Sequence, residues 1–323
     1  MANPAARTEV AVTTLTLNPA LDTVTSIDHV VADHKMRCGA TQSHPGGGGI
    51  NVARVLQRLG VAVHAVHTAG GPTGEQLGRA LDAEGVARTA VACAAETRTA
   101  LTVRELSTSR DYRFTLPMGP LREVEWRLAV EAAQHWARPG SQLVLSGSLP
   151  EGVPADVYAS LADWAKTQGL RVVLDSSGPA LRPALEAGVY AFKPSLRELC
   201  GLLGQDLCEP EQWRAAARDL IRRGQAQVVA VTLGDQGAEL ITAERAWRAP
   251  ALAVDAQTTV GAGDSFVAGL VWAWSRQAPM ADALRAAVAA SAAALLAPGT
   301  ALTLPEDFWR LLPQVNCTEV ATP

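Results

Sequence analysis

Thr258-Thr259-Val260-Gly261-Ala262-Gly263-Asp264-Ser265 runs into an apolar, helix-like segment, Ser265 to Ser275 (SFVAGLVWAWS). Two glycines two apart let the backbone turn tightly and approach a ligand with no Cβ in the way. They would stand at the N-terminus of that helix, where free N–H groups and roughly half an elementary charge suit phosphate oxygens. Asp264 then falls in the first helical turn. A carboxylate there is either an N-terminal cap or a general base beside a phosphate pocket, and the rest of the chain has to decide between the two.

Upstream the rhythm is regular. Helix Glu123–Trp136 leads to strand Gln142–Ser146, helix Ala155–Gln168 to strand Arg171–Asp175, and helix Pro179–Ala187 to a short strand ending at Lys193. Helices around Arg197–Leu203 and Pro210–Arg223 precede strand Val228–Thr232. Such alternation predicts an α/β fold, a parallel sheet covered on both faces. The strand ends carry polar or glycine-rich turns: Ser146-Gly147-Ser148, Asp175-Ser176-Ser177-Gly178, Lys193-Pro194-Ser195 and Thr232 to Gly237. Gathered on one edge, they predict a single long cleft.

The N-terminal part departs from this rhythm. Glu9–Leu17 is β-branched and apolar, a buried first strand, and Asn18-Pro19 breaks it and delivers Asp22 to its carboxyl end. Val24–Asp28 and Met36–Gln42 read as short alternating strands, with Lys35 and Arg37 sharing a face. Arg98 precedes the strand Thr99–Glu105, whose hairpin partner is Tyr112–Phe114. Together these form a small accessory sheet. Between them, Pro45-Gly46-Gly47-Gly48-Gly49 opens an amphipathic helix bearing Asn51, Val52, Val55, Leu56 and Leu59. Four glycines in a row are entropically unfavourable, so the backbone there is expected to meet a ligand closely. Val61–Thr68 is a further core strand, followed by a helix from about Glu75 to Glu84, and Asn316–Pro323 reads as a loose tail.

Composition narrows the classes. The chain has 323 residues, 48% of them hydrophobic, enough for one large α/β domain. A net charge of −4 gives no basic field for nucleic acid or an anionic membrane. Five scattered cysteines without a CxxC pair point to reduced thiols in a cytoplasm. MANPAARTEV has no apolar core of a signal peptide, and the run Ala286–Ala297 is too short and alanine-rich to span a membrane. No GxGxxG or GxxxxGK[ST] occurs, which removes the dinucleotide and P-loop motifs. Only three of the 28 basic residues are lysines: Lys35, Lys166 and Lys193.

Taken together, Asn18-Pro-x-x-Asp22, the glycine run with Ile50-Asn-Val-Ala-Arg54, and Thr259-Val-Gly-Ala-Gly-Asp-Ser265 resemble the ribokinase-like (PfkB) carbohydrate kinases, from about Thr14 to Leu312. Within that family the likeness is to the phosphosugar branch and its minor 6-phosphofructokinases, through Lys35-Met-Arg-Cys38, Ser146-Gly-Ser-Leu-Pro150 and Asp175-Ser-Ser-Gly178. The resemblance implies a three-layer α/β/α sandwich over residues 1–323 with a mainly parallel sheet. It also implies a β-sheet lid contributed by about 24–42 and 98–116. The implied activity is ATP-dependent phosphorylation of the C1 hydroxyl of fructose 6-phosphate. Asp264 would be the base, and Gly261, Ala262 and Gly263 the anion hole. Asp22, Gly47, Gly48 and Asn51 would hold sugar hydroxyls. Arg98, Lys35 and Ser148 would bind the sugar phosphate. Lys193, Ser195, Thr232, Gly234 and Gly237 would serve ATP, and Glu198 would serve Mg²⁺ through water. Carbonyls near Thr258, Val260 and Gly299 would suit K⁺. A small sheet with one apolar face is marginal alone, which implies a homodimer through the lid.

Two departures stand out. Ser195 occupies the asparagine position of the family's N-x-x-E motif, and the Ala290–Ala294 region replaces a Gly-Ser. Gly48 stands where 1-phosphofructokinases and tagatose-6-phosphate kinases usually carry lysine, which sets these two activities as the alternatives. A non-catalytic sugar- or nucleotide-binding regulator is the reading from another class, and the intact Gly-x-Gly-Asp argues against it.

Overall fold

Val12–Thr16 forms β1, buried at every position, an interior strand of a ten-stranded sheet in the computed structural model, which describes residues 11–320. Glu9 and Val10, the start of the expected first strand, lie outside the described residues. The strands that follow are β2 (Ala20–Ile27), β3 (Gln42–Gly46), β4 (Val63–Ala69), β5 (Arg88–Ala92), β6 (Arg98–Glu105) and β7 (Arg110–Thr115). After these come β8 (Gln142–Ser146), β9 (Arg171–Asp175), β10 (Val189–Phe192), β11 (Ala226–Thr232), β12 (Ala238–Ile241), β13 (Ala246–Ala249) and β14 (Thr318–Val320). The large sheet runs in the order 14-13-12-11-10-9-8-1-4-5. From β5 to β11 every pairing is parallel; β12, β13 and β14 add on antiparallel.

Alternate strand residues feed two separate cores. Val144, Val173, Val228 and Ala230 face the helices Gly48–Arg58, Gly71–Ala83, Ala262–Ser275 and Met280–Leu296. Leu143, Leu145, Val172, Leu174, Val229 and Val231 face Glu123–Trp136, Val157–Thr167, Leu181–Ala187 and Pro210–Arg222. Each fully buried Val or Leu contributes about 1.5–3 kcal/mol, so helices on both faces make the three layers stable. The alanine-rich run from Ala286 lies in the helix Met280–Leu296, most of it buried. A Cβ on Gly269 would run into the backbone of Ala286 and Ala287, so small residues let these two helices touch.

β1 has β4 on one side and β8 on the other, which makes the β1/β8 boundary a topological switch point, the place where such sheets bind ligands beyond their carboxyl ends. Over that end lies a four-stranded sheet in the order β3-β2-β6-β7. Its β2–β6 pairing is parallel and the others are antiparallel.

Three expectations are corrected. Met36–Thr41 is not a strand: β3 pairs with β2 only from Val24↔Gln42 to Ala20↔Gly46, and beyond that β2 pairs with β6 alone. Lys35, Met36, Arg37 and Cys38 therefore lie on an exposed loop, and the shared face of two cations does not form. The tail is not loose throughout, because Thr318–Val320 pairs with β13. The hairpin of β12 and β13, two four-residue strands, gave too short a pattern to be read from sequence.

Candidate active site

Gly261 takes the left-handed conformation (φ 75°) and caps the helix Ala262–Ser275, which puts Asp264 in its first turn, as expected. A Cβ on Gly261 would overlap the Leu302 side chain, so both its backbone angle and its space require glycine. Around Asp264 the ends of three strands and the starts of two further helices converge. Gly48, Ser146, Gly147, Asp175, Ser176, Lys193, Glu198, Gly261 and Gly263 line a pocket of about 280 Å³ with it. Asp264 is not a side-chain cap: its carboxylate accepts from Asn51 Nδ2 at 2.8 Å, across 213 residues of sequence. Burial pushes it up to about 7, helped by the neighbouring carboxylates Asp175 and Asp22, while Asn51 and Lys193 pull the other way. Lys193 is buried and pairs with Asp175 at 2.9 Å. Burial disfavours its charge, yet Asp175, Glu198 and Asp264 hold the ammonium above its ordinary value.

On the side of the small sheet, burial pushes Asp22 up to about 6 against the nearby guanidinium groups of Arg54 and Arg98. Arg98, first residue of β6, donates from Nε to Asn18 Oδ1 at 2.9 Å, and Asn18 Nδ2 donates to Ser148 Oγ at 3.1 Å. Arg98 and Ser148, 50 positions apart, are thus brought together through Asn18. Lys35 is not brought to them; it makes no hydrogen bond or ion pair among the described residues. The glycine run has a packing reason that sequence reading missed. A Cβ on Gly46 would strike the Asp22 carboxylate, one on Gly48 would strike Ser146 Oγ, and one on Gly49 would strike Thr16 and the Leu15 carbonyl. Close contact with the sheet, besides any ligand, demands those glycines.

On the other side, Thr232, Gly234 and Gly237 line a second, larger pocket of about 610 Å³ with Leu252, Val254, Phe266, Val288, Ser291 and Leu295. Gly263 borders both pockets, so the two form one cleft with the helix N-terminus between them. Ser195 and Glu198 form a capping box: Glu198 N donates to Ser195 Oγ at 3.2 Å, and Ser195 N donates to Glu198 Oε2 at 2.7 Å. Thr258 Oγ1 accepts from Val260 N at 3.1 Å, and Gly299 (φ 61°) turns beneath Val24 of β2.

A family model described as "pfkB family carbohydrate kinase" matches residues 8–307. The chain belongs to the pfkB family of carbohydrate kinases. It is 43% identical over 298 residues to the ATP-dependent 6-phosphofructokinase isozyme 2 of Mycobacterium tuberculosis (strain H37Rv), covering 92% of this chain and 87% of that one. It is 31% identical over 307 residues to the 1-phosphofructokinase of Bacillus subtilis (strain 168), covering 95% and 99%. Phosphofructokinase-2 from Escherichia coli in complex with substrates and products superposes with a TM-score of 0.91 at 38% identity, over 94% of this chain and 99% of that one. The same enzyme in complex with potassium gives 0.90 at 38%, over the same shares. This pfkB kinase is therefore a phosphotransferase acting on a sugar hydroxyl, in a ribokinase-like fold.

Four residues in or beside this candidate site had no role from sequence: Asn18, Arg54, Ser146 and Asp175. Asn18, Ser146 and Asp175 stand in strand-end turns that sequence reading did single out, and that position was their available signal. Among the described residues, no helix is long and apolar enough to cross a membrane.

Proposed function

We propose that this pfkB kinase, a single domain, transfers the γ-phosphoryl group of ATP to the C1 hydroxyl of fructose 6-phosphate. The observation that carries the reading is the place of Asp264. It sits at a helix N-terminus where two pockets meet, and its carboxyl titrates near neutrality. A base of that kind takes the hydroxyl proton most effectively near pH 7 and typically contributes about 10²–10⁴-fold. Phosphoryl transfer asks little else of a protein than alignment and neutralisation of charge. The amides of Gly261, Ala262 and Gly263 face the migrating group. Lys193, beside Gly263, offsets charge on the nucleotide phosphates. Thr232, Gly234 and Gly237 with the apolar pocket hold the nucleotide, near Ser195. Asp22, Asn51, Gly47 and Gly48 orient the sugar hydroxyls, and Arg98 with Ser148 takes the 6-phosphate.

Mg²⁺ held through phosphate oxygens and water suits this site. Glu198 Oε2 is engaged with Ser195, which leaves Oε1 for a metal-bound water. Among the described residues no three His, Cys, Asp or Glu side chains form a protein metal cage, and water-mediated Mg²⁺ needs none. The peptide carbonyls of Thr258, Val260 and Gly299 accept no protein hydrogen bond among the described residues, which supports a K⁺ site there. The small sheet is read as a lid that keeps water from the phosphoryl group. Its exposed Val31, Met36, Phe114 and Leu116 support pairing of two copies through it, with Lys35 on the same loop as Val31 and Met36. Reduced cysteines fit a cytoplasmic enzyme.

Steady-state kcat/KM for fructose 6-phosphate, fructose 1-phosphate and tagatose 6-phosphate tests the reading. Fructose 6-phosphate is expected to lead. A lead by fructose 1-phosphate would transfer the assignment to the 1-phosphofructokinases, the activity of the 31%-identical relative.

A further inference from the structure

Arg54 is among the largest side chains with no solvent exposure at all. A guanidinium in that position is stable only if its donors are matched. Nε donates to Glu84 at 2.9 Å and Nη2 to the same carboxylate at 2.7 Å. Nη1 is shared among three acceptors: Pro45 O at 2.8 Å, Asn51 Oδ1 at 3.3 Å and Thr300 O at 3.3 Å. One turn along the same helix, Arg58 donates to Glu84 Oε2 at 2.9 Å and to the carbonyls of Ala301 and Thr303. Glu84 is thus the anchor, at the helix end Ala83–Glu84, for two arginines that hold both the start of the glycine run and the 300–303 turn.

The consequence falls on Asn51. An arginine offers donors only, so the end of the Asn51 amide that meets Arg54 has to be its carbonyl. The NH₂ end is then directed at Asp264, where it is found at 2.8 Å. The flipped amide would set donor against donor at Arg54 and carbonyl against carboxylate at Asp264. A donor on an ionised carboxylate favours the charged form, the form a base needs.

We propose that Arg54, seated by Glu84, is a positioning residue for catalysis: it fixes the orientation of the Asn51 amide and so the hydrogen bond to Asp264. The proposal rests on Asp264 being the base. Arg54 touches neither substrate nor reacting atoms and acts through Asn51. The other charged groups facing Asp264 are Asp175, Lys193 and Asp22, and those around Arg54 are Glu84, Arg58, His44 and Asp22. Arg54→Lys keeps the positive charge among them but cannot span both Glu84 and Asn51, because a single ammonium replaces the planar fork.

The test is the pH profile of kcat/KM for Arg54→Lys, Asn51→Ala and the double variant, with Glu84→Gln as a milder release of Arg54 should Arg54→Lys not fold. Arg54→Lys is expected to lower kcat about tenfold to a hundredfold. Its acid limb should move up by about one pH unit. The double variant should shift the limb no further than Asn51→Ala alone. An unmoved acid limb in Arg54→Lys, or in Glu84→Gln where that variant replaces it, overturns the proposal, as do shifts that add in the double variant. Asp264→Asn, run beside them, separates the two readings. Near-normal turnover there removes the base itself, whereas lost turnover with an unmoved limb in Arg54→Lys removes only the positioning role.

Discussion

Asp264→Asn should make the protein slower and more stable at once. The parent carboxyl is raised from an ordinary 3.8 to about 7, chiefly by burial. At about 1.4 kcal/mol per pH unit, ionising it inside the fold costs at most about 4 kcal/mol. Asp264 as a whole residue keeps some exposure where it lines the pocket, and solvent screening reduces this to roughly 2 kcal/mol. The sign follows from the direction. Below the unfolded value near 3.8 both states are protonated and nothing is lost. As pH rises through the interval up to about 7, the unfolded chain releases its proton first and stability falls; above that interval the loss is constant. Asparagine has no such titration, and its amide oxygen can still accept from Asn51 Nδ2. Urea unfolding at about pH 8 should therefore show the variant more stable by roughly 2 kcal/mol, with the gap closing as the pH approaches 4. Turnover of fructose 6-phosphate at the same pH should fall by about 10²–10⁴-fold with KM little changed. Equal unfolding midpoints at pH 8 would show that the carboxylate is not held against its charge. Near-normal turnover would show that it is not the base.

Arg98→Ala removes the guanidinium bound to Asn18, and the KM for the sugar phosphate should rise by about tenfold or more with kcat less affected; an unchanged KM moves the phosphate site elsewhere. Gly261→Ala forces a left-handed alanine, about 1–2 kcal/mol, and drives a methyl into Leu302, so kcat should drop while the far-ultraviolet spectrum stays the same. Glu239 has no solvent exposure and accepts from Trp213, Arg214 and Arg248, on the face of β12 opposite the cleft-lining Ala238. Glu239→Gln should cost about 3–5 kcal/mol in urea unfolding with KM values unchanged, and a loss under 1 kcal/mol would contradict a buried charge cluster.

The layers were legible in the sequence because they rest on local periodicity. Val172-Val173-Leu174 and Val228–Val231 carry continuous apolar runs that only a doubly covered strand explains, and the structure sends alternate members of each to opposite cores. The ligand-facing turns were legible for a related reason: polar residues at strand ends such as Asp175 and Ser146 break those runs. What could not be read was register and pairing across long separations. The loop carrying Lys35 alternates like a strand, yet its ladder with β2 ends at Val24↔Gln42. Beyond that, among the described residues, the loop hydrogen-bonds to β2 only at Gly39, whose N–H donates to Ser26 O and whose carbonyl accepts from Thr25 Oγ1.

Nor does spacing say which carboxylate an asparagine will meet. The resemblance implied a sugar-hydroxyl role for Asn51; beside that role its amide turns to Asp264 because Arg54, buried three residues on, claims the carbonyl. The general reason is that a buried cation imposes its donors on every adjacent acceptor, and that constraint appears only when the helix Gly48–Arg58 lies on the sheet. Arg54 looks in sequence like any charged residue on an amphipathic helix. In the fold it is the residue whose matching decides how the base is presented, and the four glycines before it are what let the helix come close enough for that matching to occur.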